Sequence, residues 1–404
     1  MTPADTNGNF LVKNDRQVVD LLDPALYQRN PHDIWSWMRA NEPVYRDERN
    51  GLWGLSRHAD VMDVERRSAV FASGLGYRAV WAPNESNMIA QDDPRHRQQR
   101  MLVQPKLTRA GVEDRRTEIE ETVSELVDEL LEKREFEVVD QLAGQLPARL
   151  TAKLLGYPEE MWPQLKTWSE RLMRTDMRDR SGEVFSEFVA ANQEFIGAMQ
   201  PIAMDRMSCP KDDLLSIWLH AKIDGQPLSP ESIVHEVGLF IAGGAETTRT
   251  AISHGLRIFC DNPQQWEAMG ANSDLVDGAV EEVLRWVTPL NNFFRRAIAD
   301  TEVGGQSIAQ GDRMMMIYPS ANFDEKVFSD PFTFDISRHP NPHLSFGFGT
   351  HLCVGANMAR LVLRTVFREL SGRARNLTVV TEPDVEANIF ARAVRSFNLS
   401  VTPR

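Results

Sequence analysis

The segment FGFGTHLCVG, residues 346–355, places a single cysteine, Cys353, in a loop with three glycines. A helical pattern follows at once, so the thiol lies just before or at a helix N-terminus, where unpaired amides and the helix dipole favour a thiolate. The glycines allow the backbone to turn tightly towards the sulfur, and Phe346 can shield the sulfur from water. The residues are compatible with a nucleophile, an iron ligand or a buried inert cysteine.

A nucleophilic cysteine needs a basic partner and access for a substrate. His351 lies only two residues away, whereas a catalytic dyad normally takes its base from another part of the fold. A haem iron needs one thiolate in a dry loop, and this requirement agrees better with the segment.

A second stretch with chemical potential is GGAETT, residues 243–248, inside a long helical pattern. Ser229 is a favourable N-cap and Pro230 a favourable first helical residue. The pattern continues to about Cys260, or roughly 45 Å at 1.5 Å per residue. Each glycine costs about 1 kcal/mol relative to alanine in a helix interior. The glycine pair is therefore either a tolerated packing feature or a place where the helix bends or opens beside a flat cofactor, with room for O2 and water.

Composition excludes several classes of protein. The chain has 404 residues, of which 42% are hydrophobic, and a net charge of -13, which argues against a nucleic-acid partner. The N-terminal residues lack the basic and apolar regions of a signal peptide, and the apolar run 237–245 is too short to span a bilayer. Three cysteines without a CxxC motif argue against a structural zinc site and favour a reducing cytoplasm. We therefore expect a cytoplasmic protein without a membrane anchor.

Hydrophobic periodicity predicts a mainly α fold with small β-sheets, which is an α+β class. The predicted elements are two strands joined at Asn50–Gly51 over residues 43–56, helices over most of 58–290, short strands over 295–318, a helix over 356–371 and strands up to the C-terminus. Residues 115–134 are the clearest amphipathic helix. No linker rich in proline, glycine or serine divides the chain, so we expect one domain over residues 1–404, with β-rich parts at about 43–57 and 295–404.

The cysteine segment resembles the haem-binding signature F-x-x-G-x-x-x-C-x-G of the cytochrome P450 family. Phe346, Gly349, Cys353 and Gly355 fall in register with it. The resemblance extends from about residue 30 to the C-terminus and is to the soluble bacterial members, including those that oxidise sterol side chains. It implies the P450 fold, with the long central helix over haem b. Cys353 would bind the iron, with Phe346, Gly347 and Gly355 around it.

The GGAETT stretch resembles the oxygen-activation segment of the same family. By this resemblance Glu246 relays protons and the hydroxyl group of Thr247 assists oxygen activation, while Ala242 and Gly243 lie against the haem. Oxygen activation requires protons that reach the reacting oxygen and are not exchanged freely with bulk water. An acid beside a hydroxyl group agrees with that requirement.

Four basic side chains are implied as ligands of the two haem propionates. His96 and Arg100 share one helix face, because their spacing is i, i+4. Arg295, which is followed by Arg296, and His351, two residues before the cysteine, complete the set. Any one of these is as easily an ordinary surface base, whereas four at matching positions favour a haem site.

Glu282 and Arg285 lie three residues apart on one helix face, a spacing that is common in surface ion pairs. In the family this pair is a buried structural lock, whose third member matches Arg338. The substrate pocket implied by the resemblance contains Trp81, Met88, Ile89, Leu239, Leu290, Asn291, Phe293 and Phe390. Each of these side chains is also compatible with plain core packing, but together they indicate a large apolar substrate with few polar anchors.

The resemblance therefore implies a haem-thiolate monooxygenase, an oxidoreductase that hydroxylates an apolar substrate such as a steroid, a terpenoid or another lipophilic compound with O2. The sequence has no flavin or nicotinamide fingerprint, so electrons would come from NAD(P)H through a ferredoxin reductase and a ferredoxin. A basic docking face near the cysteine would contain Arg97, Lys106, Arg109, Arg360 and Arg364. The alternatives are a peroxide-driven haem enzyme, a haem-binding sensor or carrier without catalysis, and a cysteine hydrolase without haem. Glu246 and Thr247 argue against the first.

Overall fold

The computed structural model of the chain describes residues 11–13, 16–29, 31–80, 82–174 and 182–404. In these residues the α-helices are α1 (Pro24–Gln28), α2 (His32–Asn41), α3 (His58–Arg66), α4 (Arg95–Leu107), α5 (Arg109–Glu113), α6 (Arg116–Lys133), α7 (Gln145–Leu155), α8 (Trp162–Leu172), α9 (Glu183–Ser208), α10 (Leu214–His220), α11 (Pro230–Asp261), α12 (Pro263–Ala271), α13 (Val276–Val287), α14 (Tyr318–Ala321) and α15 (Ala356–Arg373). Short 3₁₀ or π turns, such as Met88–Ala90 and Gly349–His351, lie between them.

The strands of the described residues are β1 (Leu11–Lys13), β2 (Arg16–Val18), β3 (Val44–Asp47), β4 (Leu52–Leu55), β5 (Phe71–Ala72), β6 (Glu135–Glu137), β7 (Lys222–Ile223), β8 (Gln226–Pro227), β9 (Asn292–Ala297), β10 (Thr301–Val303), β11 (Gln306–Ile308), β12 (Arg313–Ile317), β13 (Ala374–Val379), β14 (Asp384–Val385), β15 (Val394–Ser396) and β16 (Asn398–Pro403). The largest sheet has the order β3-β4-β12-β9-β5, and a second sheet has the order β13-β16-β6. The predicted mainly α fold with small sheets is confirmed.

The elements predicted at both ends of the chain are also confirmed. Strands β3 and β4 pair antiparallel, with Val44 opposite Leu55, and Gly51 in the connecting turn has φ of 61°, a conformation that favours glycine. Helix α6 covers most of the amphipathic segment, and the buried side chains of α6 form the predicted apolar stripe. The C-terminal strands β13 and β16 pair antiparallel.

The central helix α11 begins where its capping residues predict and ends close to the predicted Cys260. Ser229 Oγ accepts a hydrogen bond from the backbone N–H of Ser232 at 3.1 Å, which satisfies one of the free amides at the start of the helix. Pro230 occupies the first helical position, and the helix extends over 32 residues to Asp261. It continues without interruption through Gly243 and Gly244, so the helix is not opened at the glycine pair.

The hydrophobic core lies on both sides of α11. Towards the C-terminal end of the helix, Ile252 and Leu256 join a cluster with side chains of α6, α13 and α15. In its N-terminal half, Val237 and Ile241 join a second cluster with α8, α9 and α10. Burial of both flanks holds α11 in place, because each buried large apolar side chain contributes roughly 1.5–3 kcal/mol. Among the described residues, no helix has both the length and the apolar character required to cross a bilayer.

The predicted lock is a fully buried ion pair in α13. Arg285 donates to both carboxylate oxygens of Glu282, at 2.7 and 2.8 Å, and both side chains are 0% exposed. Arg338 donates to the same carboxylate at 3.1 Å, as predicted. Arg285 also donates to the carbonyl oxygens of Asn322 and Pro331. The lock therefore fastens α13 to the segment that precedes the cysteine loop.

Replacement of Glu282 by alanine is expected to destabilise the protein by about 3–5 kcal/mol, because Arg285 would remain as an unpaired buried charge. The matched control is Glu129→Ala. Glu129 pairs with Lys133 one helical turn away, but its side chain is 65% exposed, and the expected loss is below about 1 kcal/mol. Chemical denaturation followed by circular dichroism measures both changes. Equal losses in the two variants would contradict the structural role of the lock.

Candidate haem and substrate site

A cavity of about 680 Å³ lies between α11 and the cysteine loop. This volume is within the range of about 300–1,000 Å³ that is usual for ligand pockets. Residues from α4, α7, α9, α11, β9 and the cysteine loop line the cavity, so the wall is assembled from parts of the chain that are far apart in sequence. Most of the lining side chains are apolar, and the basic ones include the four that were assigned to the propionates.

The cysteine loop takes its shape from two glycines with left-handed backbone. Gly347 and Gly349 have φ of 68° and 71°, and a Cβ atom on Gly349 would lie 2.5 Å from the carbonyl oxygen of Glu65. The loop closes where the backbone N–H of Cys353 donates to the carbonyl oxygen of Phe346 at 2.9 Å. Helix α15 begins three residues after Cys353, which agrees with the predicted position of the thiol.

Cys353 lies deep inside the protein, and its exposed surface faces the cavity. Burial raises the pKa of the Cys353 thiol above its ordinary value, while the backbone of Gly355 and the guanidinium groups of Arg100 and Arg360 lower it. Burial outweighs the groups that were expected to favour a thiolate. A metal cation bound to the sulfur would reverse this balance, because a coordinating thiol is deprotonated outright.

The glycine pair of α11 has two different surroundings. A Cβ atom on Gly243 would meet nothing within 4 Å, whereas a Cβ atom on Gly244, which also lines the cavity, would lie 2.8 Å from the hydroxyl oxygen of Thr151. Ala242, Gly243 and Thr247 all lie on the cavity wall. The hydroxyl group of Thr247 donates to the carbonyl oxygen of Gly243 at 3.0 Å, which is the bond to the preceding turn expected of a helical threonine.

Glu246 is not among the described residues that line the cavity. Its carboxylate accepts a hydrogen bond from Arg249 Nη2 at 2.7 Å, and Arg249 also bonds to Glu170. The side chain of Glu170 is 23% exposed. Burial raises the pKa of Glu246, and Arg249 opposes this effect. A chain of polar groups therefore leads from the position next to Thr247 towards the protein surface.

The four bases assigned to the propionates converge on one end of the cavity. His96, Arg100, Arg295 and His351 all lie on its wall. The imidazole rings of His96 and His351 have centroids 4.1 Å apart. Burial lowers the pKa of His96, and burial together with nearby cations lowers the pKa of His351 to about 2. Because side chains alternate along β9, Arg295 faces the cavity whereas Arg296 does not.

Most of the predicted pocket residues lie on the cavity wall: Met88, Ile89, Leu239, Leu290, Phe293 and Phe390. The assignment of Asn291 was wrong. This residue is buried, and its side-chain amide donates to the carbonyl oxygens of Asn388 and Ile389 at 3.2 Å, so it stabilises the loop that carries Phe390. Trp81 lies outside the described residues.

Several lining residues were missed by the reasoning from sequence. Glu65 and Tyr318 lie beside Arg295, and Phe185 and Phe188 come from α9. The guanidinium group of Arg78 lies 3.9 Å from the ring centroid of Phe390. These residues form no recognisable pattern in the sequence. Only the packing of α3, α9 and the large sheet brings them to one cavity.

These residues fit a haem. The open space beside Gly243 can take a flat group, Cys353 offers one sulfur ligand, and Arg100 and Arg295 offer permanent positive charges for two propionates. A haem would be held by these groups together with His96 and His351. When bound, it would supply the redox chemistry that activates O2.

The comparisons with known proteins agree with this site. Residues 158–370 match the family model of cytochrome P450. The chain is 37% identical over 368 residues to a steroid C26-monooxygenase of Mycobacterium tuberculosis, covering 91% of this chain and 92% of that protein. It is 31% identical over 405 residues to linalool 8-monooxygenase of Pseudomonas putida, covering 95% and 99%. It superposes with a TM-score of 0.88 on a Mycobacterium marinum cytochrome P450 in complex with pseudoionone, at 30% identity and 99% coverage of both chains.

The fold, the site and these relatives agree, and the chain belongs to the cytochrome P450 family. It is a P450 monooxygenase of the bacterial type, and the family implies a haem cofactor, a lipophilic substrate and a redox partner.

Cys353→Ala is expected to abolish the absorption band at about 450 nm of the reduced carbon monoxide complex, because this band requires a thiolate ligand. The change removes one atom from the cavity wall and leaves the loop glycines in place. Cys260→Ala is the control. This thiol donates to the carbonyl oxygen of Leu256 inside α11 and does not lie on the cavity wall. A band that persists in Cys353→Ala would overturn the ligand assignment.

Proposed function

We propose that this chain is a haem b monooxygenase that hydroxylates a steroid, a terpenoid or a related lipophilic compound, with O2 and with electrons delivered by a ferredoxin. The observation that carries the proposal is the large cavity, which joins the Cys353 sulfur, Thr247 and an extensive apolar wall. A steroid C26-monooxygenase and a linalool 8-monooxygenase among the relatives support the substrate class.

The apolar part of the wall favours substrates without many polar groups. Phe293 and Phe390 form an edge-to-face pair with centroids 5.2 Å apart, and Met88 and Leu239 also line the cavity. Such a surface orients a hydrocarbon skeleton by shape and by exclusion of water, since dispersion contacts carry little directional information. Substrate binding in the cavity would place a C–H bond near the reacting oxygen.

In this proposal Thr247 and Glu246 supply protons. Thr247 lies on the cavity wall and can exchange its bond to the Gly243 carbonyl oxygen for a bond to a group in the cavity. Glu246 directly precedes Thr247 in the helix, and Arg249 connects it to the partly exposed Glu170. This arrangement supports proton transfer from the surface, whereas the apolar wall excludes bulk water.

A ferredoxin would dock on the face that carries the cysteine loop. Leu352, beside the iron ligand, is exposed, and Arg97 and Arg109 are also exposed. The other predicted cations of this face have acidic neighbours in the chain: Lys106 with Asp212, Arg360 with Glu281, and Arg364 with Asp277. We therefore assign the attraction of an acidic partner mainly to Arg97 and Arg109.

We also propose that residues 1–404 fold as one domain. The core clusters on the two sides of α11 share the packing of that helix, so the helical and β-rich parts are joined through buried side chains. Cys209, Cys260 and Cys353 are free thiols, and this supports a reducing cytoplasmic location.

The proposed function is tested with purified haem-loaded protein, a ferredoxin, its reductase, NAD(P)H and isotopically labelled O2. A panel of steroids and terpenoids is first screened for a shift of the haem absorption band. We expect a product that gains one labelled oxygen atom only when the electron-transfer proteins are present. Product formation with hydrogen peroxide alone would indicate a peroxide-driven enzyme. A haem protein without product in either assay would indicate a sensor or carrier.

Thr247→Ala is expected to retain haem but to divert reducing equivalents from product to hydrogen peroxide, because proton delivery at the cavity would lose its hydroxyl group. The measured quantity is peroxide released per NAD(P)H consumed. Thr122→Ala is the matched control, since the Thr122 hydroxyl group makes the same bond to the preceding turn, to Glu118 at 2.8 Å, but in α6. If Thr247→Ala formed product in step with NAD(P)H consumption and released little peroxide, Thr247 would have no role in the mechanism.

A further inference from the structure

Glu65, at the end of α3, is a buried carboxyl group on the cavity wall that the chemistry above does not use. The residue is 5% exposed and lines the cavity with Arg295 and Tyr318. The hydroxyl group of Tyr318 donates to Glu65 Oε1 at 2.6 Å, and Arg295 Nη2 lies 3.9 Å from the same oxygen. The second oxygen, Oε2, is buried and has no hydrogen-bond partner among the described residues.

The unequal surroundings of the two oxygens favour the acid form of Glu65. An ionised carboxylate would leave the charge on Oε2 buried and without a donor, at a substantial cost in free energy. A carboxylic acid can instead accept at Oε1 from Tyr318 and donate from Oε2. Burial raises the pKa of Glu65 to about 7, although Arg295, Tyr318 and the backbone of Phe348 oppose this effect. The acid form is therefore accessible at neutral pH.

The permanent charges at this end of the cavity lead to the same conclusion. Arg100 and Arg295 carry two positive charges, and a haem carries two propionates. An ionised Glu65 would bring the negative charges at this end of the cavity to three against two permanent positive charges, and it would compete with a propionate for Arg295. A neutral Glu65 avoids both effects, since nearby anions raise the pKa of a carboxyl group further.

We propose that Glu65 is a haem-binding residue: with haem bound, its protonated carboxyl group turns Oε2 out of its buried position and donates a hydrogen bond to a haem propionate, while Tyr318 holds the other oxygen. The proposal rests on the haem site of the proposed function. Glu65 would add an acid to a set of basic propionate ligands, and this role couples the protonation of Glu65 to the charge of the haem.

This coupling has a definite sign. Glu65 holds its proton more firmly when the haem is reduced, because the added electron brings negative charge close to the carboxyl group. Glu65 then has a lower pKa when the haem is oxidised than when it is reduced. At pH values between these two, each electron is accompanied by uptake of a proton from water at Glu65. The midpoint potential should fall as the pH rises through this range and level off on either side. Arg295 of β9 is the charged group that acts on Glu65, and Tyr318 of α14 and the Phe348 backbone are its other neighbours; His351 lies on the same cavity wall.

The test is a spectroelectrochemical titration of the haem-loaded protein, with dithionite as reductant, at pH values on both sides of the Glu65 pKa. The potential of the unmodified protein is expected to fall with rising pH, and that of Glu65→Gln to stay constant, since the amide keeps a donor but cannot ionise. Glu236→Gln is the matched control. Burial raises the pKa of Glu236 to about 8, and its Oε2 also has no partner among the described residues, but Glu236 does not lie on the cavity wall. This variant should keep the pH dependence.

A second measurement follows haem transfer to apomyoglobin. Glu65→Ala is expected to release haem about tenfold faster than the unmodified protein, because a hydrogen bond to a charged group is lost. Glu65→Gln is expected to release it at nearly the original rate. Tyr318→Phe provides an independent variant: it should keep the pH dependence of the potential but move it to higher pH, since the lost bond favours the ionised form of Glu65.

The proposal would be overturned if the potential of Glu65→Gln kept the pH dependence of the unmodified protein. It would also be overturned if Glu65→Gln and Glu65→Ala released haem at equal rates. If the proposed function failed, the unmodified protein would take up no haem and would have no potential to measure. Either result above can therefore be distinguished from that failure.

Discussion

The burial of one sulfur atom is the constraint on which the rest of the structure depends. Cys353 lies where burial raises the pKa of its thiol, so a thiolate is stable there only when a cation binds to it. The surrounding loop is held by the left-handed Gly347 and Gly349 and by the close contact of Gly349 with the backbone of Glu65. The loop cannot move without disturbing α3, and the sulfur therefore keeps its position relative to α11 across the cavity.

Buried acids are stabilised in three different ways around this site. The carboxylate of Glu282 is paired on both oxygens with Arg285 and accepts further bonds from Arg338, so it serves structure. Glu246 shares Arg249 with the partly exposed Glu170, which leaves it connected to the surface. Glu65 has a donor on one oxygen and none on the other. The more completely a buried carboxylate is paired, the less freely it can exchange a proton.

Motifs with local physical causes were predictable from the sequence. The start of α11 follows from Ser229 as N-cap and Pro230 as first residue, and the β3–β4 turn follows from Asn50–Gly51. The positions of Cys353 and the two loop glycines follow from the need for a tight turn before a helix. The lock could be recognised only by resemblance, because a pair at i, i+3 is equally compatible with a solvent-exposed face.

Errors arose where a side chain could point in either of two directions. Asn291 was placed in the pocket by the family resemblance, but its amide instead bonds to the Asn388 and Ile389 carbonyl oxygens. The glycine pair was compatible with an opened helix, whereas α11 continues through it and both glycines line the cavity. Neither outcome is contained in residue type or spacing.

Resemblance to the family implied the cysteine ligand and the set of bases, whereas the sequence by itself determined the central helix, the cysteine loop and the order of secondary structure. These features depend on interactions within a few residues, such as capping, turn geometry and helical periodicity. Tertiary structure alone decided that Arg295 and not Arg296 faces the cavity, that Glu246 turns towards Arg249, and that Glu65 lines the cavity beside Arg295. Those outcomes depend on which faces of distant elements are buried together, since burial and pairing set both the direction and the charge of a polar side chain.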